Sequence, residues 1–216
     1  MKTSPMLYKP EMVSGILKKI KTETRRTNGL REINQNPDDW DFCTMSIKEL
    51  RANFVRKGTG EVREIRMPYG HIGDVIWVRE TWQYDCHWTQ GAGDFVYKAD
   101  NPTKSLMLND EWKPSIHMPK DACRLFLRVL DVRIERLHDI SNESAIAEGI
   151  AKHAFAPGYK NYINPSKFLA FGDFDSARTS FFSLWISING ESSFDANPWV
   201  WVYSFEITDK PKDFLK

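Results

Sequence analysis

A lysine, two hydroxyls, a carboxylate and two arginines occupy six consecutive positions, Lys21-Thr22-Glu23-Thr24-Arg25-Arg26, and Glu148 answers them far downstream in Ala145-Ile146-Ala147-Glu148-Gly149. Lys21 and Thr24 lie three apart, a spacing that puts both on one face of a helical turn and still lets them converge on a tight turn. A hydroxyl beside a desolvated amine can act as a nucleophile, the amine taking its proton near neutral pH. Glu148 would complete the set as general acid or base if burial keeps its carboxyl near the working pH. On spacing alone the same residues also read as a solvated helix end, with Lys21, Arg25 and Arg26 complementing the helix dipole and Thr24 as a cap.

The elements that must position these residues are legible in outline. Residues 1 to 9 read as extended. Pro10 suits the first turn of a helix with Met12, Val13, Ile16, Leu17 and Ile20 on one face, ending near Lys21. Gly15 inside it marks close backbone packing. Residues 27 to 66 are polar and irregular, with a short helical pattern from Ser46 to Phe54, and read as an insertion. Val75-Ile76-Trp77-Val78 is a β run behind a Gly73-Asp74 turn, and a second irregular stretch holds a strand at 94 to 99 and a turn at Asn101-Pro102. The alternation from Arg124 to Arg136 is too long for one flat strand and predicts a bend. Ser141 caps a helix that ends at Gly149 or a turn later. Another helix begins at Asp175 and stops at Asn189-Gly190. Residues 197 to 207 form an aromatic-rich strand, with Trp77, Trp185, Trp199 and Trp201 assigned to the core and residues 209 to 216 to a charged tail. About five strands and two or three helices, joined by irregular segments rather than βαβ units, predict an α+β domain: a small mixed β-barrel with flanking helices.

Further candidates surround the first set. Arg79 and Glu80 follow the buried strand and would stand at the pocket rim, with Trp82 as a stacking face for a base. His117, in the proline-bracketed loop from Trp112 to Pro119 with Lys113, is a rim residue for an anionic or planar ligand. The five histidines show no HxH or HxxxH spacing. Cys43, Cys86 and Cys123 make an odd number without CxxC spacing, so neither a metal centre nor a disulfide framework is expected. Neither a GxGxxG nor a P-loop sequence is present, and no cofactor is expected.

With 30 Lys and Arg against 29 Asp and Glu in 216 residues, any nucleic-acid contact must come from a local patch rather than a global field. The length and 28 aromatic residues, 8 Trp, 13 Phe and 7 Tyr, suit one domain with one large core. The N-terminus has no apolar h-region and no run of about 18 apolar residues occurs. These features predict a cytoplasmic protein with no membrane contact.

Four segments carry a resemblance: Ile16 to Arg26 (ILKKIKTETRR), Gly73 to Trp82 (GDVIWVRETW), Ile140 to Gly149 (ISNESAIAEG) and Pro198 to Ile207 (PWVWVYSFEI). In that order they resemble the ASCH domain family of the PUA-like superfamily, in particular its phage and prophage members, over a quarter to a third of the chain. The resemblance implies a PUA-like β-barrel with helices at its mouth, a cleft between them, and a link to RNA or nucleotide recognition. One branch of the family removes the acetyl group of N4-acetylcytidine, and its lysine, threonine nucleophile and glutamate fall on Lys21, Thr24 and Glu148. The implied chemistry is attack by Thr24 on an amide carbonyl, Lys21 accepting the proton, Glu148 protonating the leaving amine, and Arg25 or Arg26 steadying the oxyanion. Those hydrolases are about half this length and lack the double arginine. The single domain 1-216 thus carries insertions at about 27-66, 83-120 and 152-173 that surround the cleft.

Two alternatives stand beside amide hydrolysis. One is a non-catalytic module for RNA, single-stranded DNA or a modified base, with Lys21, Arg25, Arg26, Arg79 and Trp82 holding phosphate and base. The other is a phage accessory protein whose insertions bind a host protein, favoured if Trp40, Trp88 or Trp112 is exposed.

Overall fold

Strand alternation and two well-capped helices set the frame of the computed structural model, which describes residues 1–84, 95–100, 111–152, 157–163 and 174–215. The strands are β1 (Thr3–Leu7), β2 (Glu23–Arg26), β3 (Trp40–Ser46), β4 (Arg51–Arg56), β5 (Val62–Arg66), β6 (Val75–Arg79), β7 (Trp82–Tyr84), β8 (Phe95–Tyr97), β9 (Phe126–Arg136) and β10 (Trp199–Thr208). The helices are α1 (Pro10–Leu17), α2 (Asn142–Ala147), α3 (Ala177–Asn189) and α4 (Glu191–Asp195). The chain is therefore mixed α+β and dominated by sheet. Cys86, His87, Trp88, the Asn101-Pro102 turn, His153 and most of 152-173 lie outside the described residues.

The main sheet has the order β1-β6-β9-β10-β2, with β1 and β6 parallel and the other neighbours antiparallel. β9 and β10 are its long central pair. Their register shifts between Ser204 and Phe205, which face Asp131 and Val129, so Leu130 is an extra residue in β9. Such a bulge bends the strand, as the length of the alternation anticipates.

Alternation then divides the apolar residues. Met6, Ile76, Val78, Leu127, Val129, Trp201, Tyr203 and Phe205 face the main core, which Val13 and Ile16 of α1 cover from one side. Val75, Trp77 and Phe126 point the other way, into a second cluster with Trp82 and Tyr97. Val200 and Val202 meet Ala145, Phe181 and Trp185 of α2 and α3 in a third. Central strands buried on both faces are nearly continuous in hydrophobicity, as β6 is.

The wall is not closed by a ladder. β1 and β2 are the sheet edges, and among the described residues no backbone hydrogen bond joins them. They are laced by a side chain instead: Arg26 Nη2 donates to the Leu7 carbonyl at 2.9 Å, and its guanidinium lies 4.9 Å over the Tyr8 ring.

Several local expectations need correction. Ser46 to Phe54 is not helical. β3 ends at Ser46 and β4 starts at Arg51, with Leu50 in the left-handed region at φ 57° and Ala52 and Phe54 fully buried. Two buried residues two apart share one face of a strand but fall on opposite sides of a helix, so the burial of Ala52 and Phe54 together requires the strand. β3, β4 and β5 form a three-stranded sheet that adds Trp40, Ala52 and Phe54 to the main core. α1 ends at Leu17, a turn before Lys21, because Lys19 adopts φ 58° and the amides of Ile20 and Lys21 both turn back to the Gly15 carbonyl. Leu17 and Ile20 are consequently exposed. The tail also docks, with Phe214 buried against Trp77 and Phe126 at ring-centroid distances of 5.6 and 4.8 Å. Trp199 is half-buried, edge-on to Phe54. Trp40 belongs to the core and Trp112 is half-buried, so neither offers the exposed aromatic surface that host-protein binding would favour.

Candidate active site

The hexapeptide enters the site as a turn followed by an edge strand, not as a helix end. Lys21 pairs with Glu148 through an isolated antiparallel bridge, and Thr22 N donates to the Ala147 carbonyl at 2.7 Å. Glu148 is presented by the end of α2, whose start Ser141 caps by accepting from Ser144 N at 3.1 Å. Glycine is required next to it. Gly149 has φ 93°, and a Cβ there would lie 3.1 Å from the Lys21 Cβ. Gly15 faces the same atom, a Cβ there falling 3.4 Å from it.

Lys21 is 3% exposed, and its ammonium donates to the carbonyls of Glu23 and Glu148, each at 2.9 Å, while ion-pairing with the Glu148 carboxylate. Burial pushes the Lys21 amine below its ordinary range. The Glu148 charge and hydrogen bond oppose that shift without cancelling it, and Arg26 and Arg25 add to it.

Strand alternation along β2 then separates residues that the sequence treats alike. Glu23 and Arg25 turn to one side. Arg25 bonds Glu135 through Nε at 2.9 Å and Nη2 at 2.6 Å, and Glu148 through Nη1 at 3.2 Å. Arg133 holds both Glu23 oxygens, at 3.0 and 3.1 Å. Lys21, Glu148, Arg25, Glu135, Arg133 and Glu23 thus form one network of alternating charge. Arg25 is committed to structure within it.

Thr24 and Arg26 turn to the other side, toward Tyr8. The Tyr8 hydroxyl is buried beside Thr24 but outside hydrogen-bond geometry, and it has no partner among the described residues. Burial raises its phenol, with the Arg26 charge opposing. No hydrogen bond joins Thr24 to Lys21 among the described residues. Thr24, Arg25, Arg26 and Glu148 line one cavity of 190 Å³, and Phe181, Leu184 and Trp185 of α3 supply its apolar wall.

The remaining candidates divide. Arg79 lies beside Arg26 in an adjoining depression, its guanidinium donating to the Ile116 carbonyl. His117 is exposed on the short turn Ser115–His117 and lines neither hollow. Glu80 and Trp82 are corrections. Glu80 is held by Arg124 at 2.9 and 3.0 Å, with burial raising its carboxyl against that arginine's pull. Trp82 packs edge-on to Tyr84 and Phe95 in the second cluster. The strand end sends both behind the sheet, so Glu148 is the carboxylate that enters the cavity.

Sequence reasoning missed Tyr8, Glu135, Arg133 and the α3 wall. Arg133 and Glu135 are two apart in a strand and so share a face, a signal that was present. Nothing near Tyr8 in sequence marks it. Among the described residues, no three His, Cys, Asp or Glu side chains converge as metal ligands, and no helix is long and apolar enough to cross a membrane. No protein-family model, no curated protein and no solved structure matches this chain.

Proposed function

We propose that the chain is an ASCH-type, PUA-like protein of phage or prophage kind, acting in the host cytoplasm as an amidohydrolase on a modified nucleoside such as N4-acetylcytidine. The observation that carries this reading is the convergence of Thr24, Arg26 and Glu148 on one cavity, with the Lys21 amine, depressed by burial, ion-paired to Glu148. The cavity is smaller than the roughly 300–1,000 Å³ of drug-sized sites. A single planar base with a short acyl group suits it, stacked against the aromatic wall of α3.

In this reading one proton passes from Lys21 to Glu148 across their ion pair, giving a neutral amine and an acid together. Thr24 Oγ1 then bonds to the amide carbon while its proton is relayed through a water molecule to Lys21 Nζ, the two side chains not being hydrogen-bonded directly, and Arg26 donates to the oxyanion. The carbon–nitrogen bond breaks as Glu148 protonates the leaving amine. Water cleaves the Thr24 ester; Lys21 returns a proton to the threonine oxygen, Glu148 takes one from water, and acetate leaves.

The test is release of cytidine and acetate from N4-acetylcytidine by wild type and by Thr24→Ala, Lys21→Ala and Glu148→Gln, with folding followed by thermal melts. Each variant is expected to lose on the order of 100-fold or more in turnover. A folded wild type that releases no cytidine rules the reading out.

One observation favours a second reading, a binding module for RNA or a modified base. All three ammonium hydrogens of Lys21 already have acceptors, which suits a structural lysine. Saturable nucleoside binding without turnover would select it.

A further inference from the structure

We propose that the depression between β1 and β2 is a phosphate subsite, so that the ligand of this protein is a phosphorylated nucleotide rather than a free nucleoside. The proposal rests on the base-binding reading of the neighbouring cavity. The depression, of 320 Å³, is lined by Pro5, Leu7, Arg26, Asn28, Tyr69 and Arg79. It presents two guanidinium groups and no carboxylate. Arg26 and Arg79 have no salt-bridge partner among the described residues, as Arg31, Arg66 and Arg178 also have none, but of these five only Arg26 and Arg79 line the depression together.

Two further observations point to an anion. The Arg79 Nε is buried and has no hydrogen-bond partner among the described residues, although the same guanidinium bonds the Ile116 carbonyl and lies 5.5 Å over Trp77. A buried donor without an acceptor costs about 1–3 kcal/mol, and a small rotation of the Arg79 guanidinium toward an anion in the depression would give it a phosphate oxygen as a strong acceptor. Arg26 is fixed from behind by Leu7 and Tyr8, so little side-chain freedom is lost on binding. The two arginines are held together by the strand register, in which Leu7 is opposite Arg79.

The depression and the cavity are neighbours, with Arg26 and Asn28 lining both. A base stacked against Phe181 and Trp185 would direct its sugar toward Asn28 and its phosphate between Arg26 and Arg79. Neither hollow alone accounts for Arg26 reaching into both. A phosphate monoester and a phosphodiester share this chemistry, and the test separates them.

Affinities of cytidine, cytidine 5′-monophosphate, a short oligocytidylate and inorganic phosphate would be measured by calorimetry at two salt concentrations, for wild type, Arg79→Gln and Arg79→Lys, with melts to verify folding. The monophosphate is expected to bind about tenfold tighter than cytidine, falling to a ratio near one in Arg79→Gln and recovering in part in Arg79→Lys. Tighter binding of the oligomer than the monophosphate would identify a chain phosphodiester as the source. Equal affinity for cytidine and its monophosphate, or a preference that persists in Arg79→Gln, overturns the subsite. Arg79-dependent phosphate binding without any nucleoside binding keeps the subsite and discards the proposed function. Binding of neither discards both.

Discussion

Neighbouring residues of like type do unlike work here. Arg25 and Arg26 are adjacent arginines, yet one is spent inside a charge network and the other reaches into two hollows. Glycine 149 illustrates the same precision. Because it combines a left-handed backbone with contact against Lys21, Gly149→Ala is expected to cost about 1–3 kcal/mol and to displace the Lys21 amine. Denaturant titration gives the first effect and N4-acetylcytidine turnover the second; a variant unchanged in both would refute the assignment. Glu23 adds a pH dependence. Burial alone would raise its carboxyl, but Arg133, Ser204 and Arg25 together hold it below its ordinary 4.5. The unfolded chain therefore binds more protons in acid, so the stability Glu23 contributes is fully present above 4.5 and is lost as pH falls through the lowered folded value. In Glu23→Gln the acid limb of the denaturation midpoint should flatten. A limb of unchanged slope would place that acid sensitivity elsewhere.

At the scale of elements, the capping signals were readable and the site geometry was only partly so. Ser141 announces α2 as its N-cap, whereas α3 is legible from its apolar run and its Asn189-Gly190 stop, its cap Ser176 being one residue beyond the expected start at Asp175. Ser141→Ala is expected to lower stability by about 1 kcal/mol and, because α2 ends on Glu148, to lower turnover as well. Thermal melts and the amide assay check both. The hexapeptide is legible by its residue types, while its spacing is compatible with a helical turn or a tight turn and the strand that forms over Glu23–Arg26 is neither. A helical turn would put Lys21 beside Thr24. The strand puts Glu23 and Arg25 on one face, Thr24 and Arg26 on the other. What ends α1 early is the Gly15 carbonyl and the left-handed Lys19, a tertiary preference that propensity does not encode. Glu148, more than a hundred residues away, is a candidate by residue type alone, and only the resemblance, not any local pattern, ties it to Lys21 and Thr24.

For the whole molecule, the core is three clusters divided by strands whose two faces are both apolar. That arrangement was visible as runs of Val, Ile and Trp, but which run faces which cluster depends on partners distant in sequence. Phe214 is the clearest case, a lone aromatic among charged residues that read as tail and turned out to seal the second cluster. Phe214→Ala is expected to cost about 3 kcal/mol, toward the lower end for buried aromatics, measured by urea denaturation; a loss under about 0.5 kcal/mol would show that the tail contributes only surface.

The lacing of β1 to β2 by Arg26 has a mechanical corollary. A sheet closed by a ladder resists opening through many cooperative bonds, whereas a seam fastened by one guanidinium yields when a competing acceptor takes it. An anion bound to the remaining N–H groups of Arg26 would share its charge and so weaken, without replacing, the bond to the Leu7 carbonyl, so occupancy of the depression and slackness of the wall are linked through a single donor group. Amide deuterium exchange along Thr3–Leu7 should therefore quicken when inorganic phosphate saturates the protein, and protection that stays constant would mean that the seam is held by packing alone.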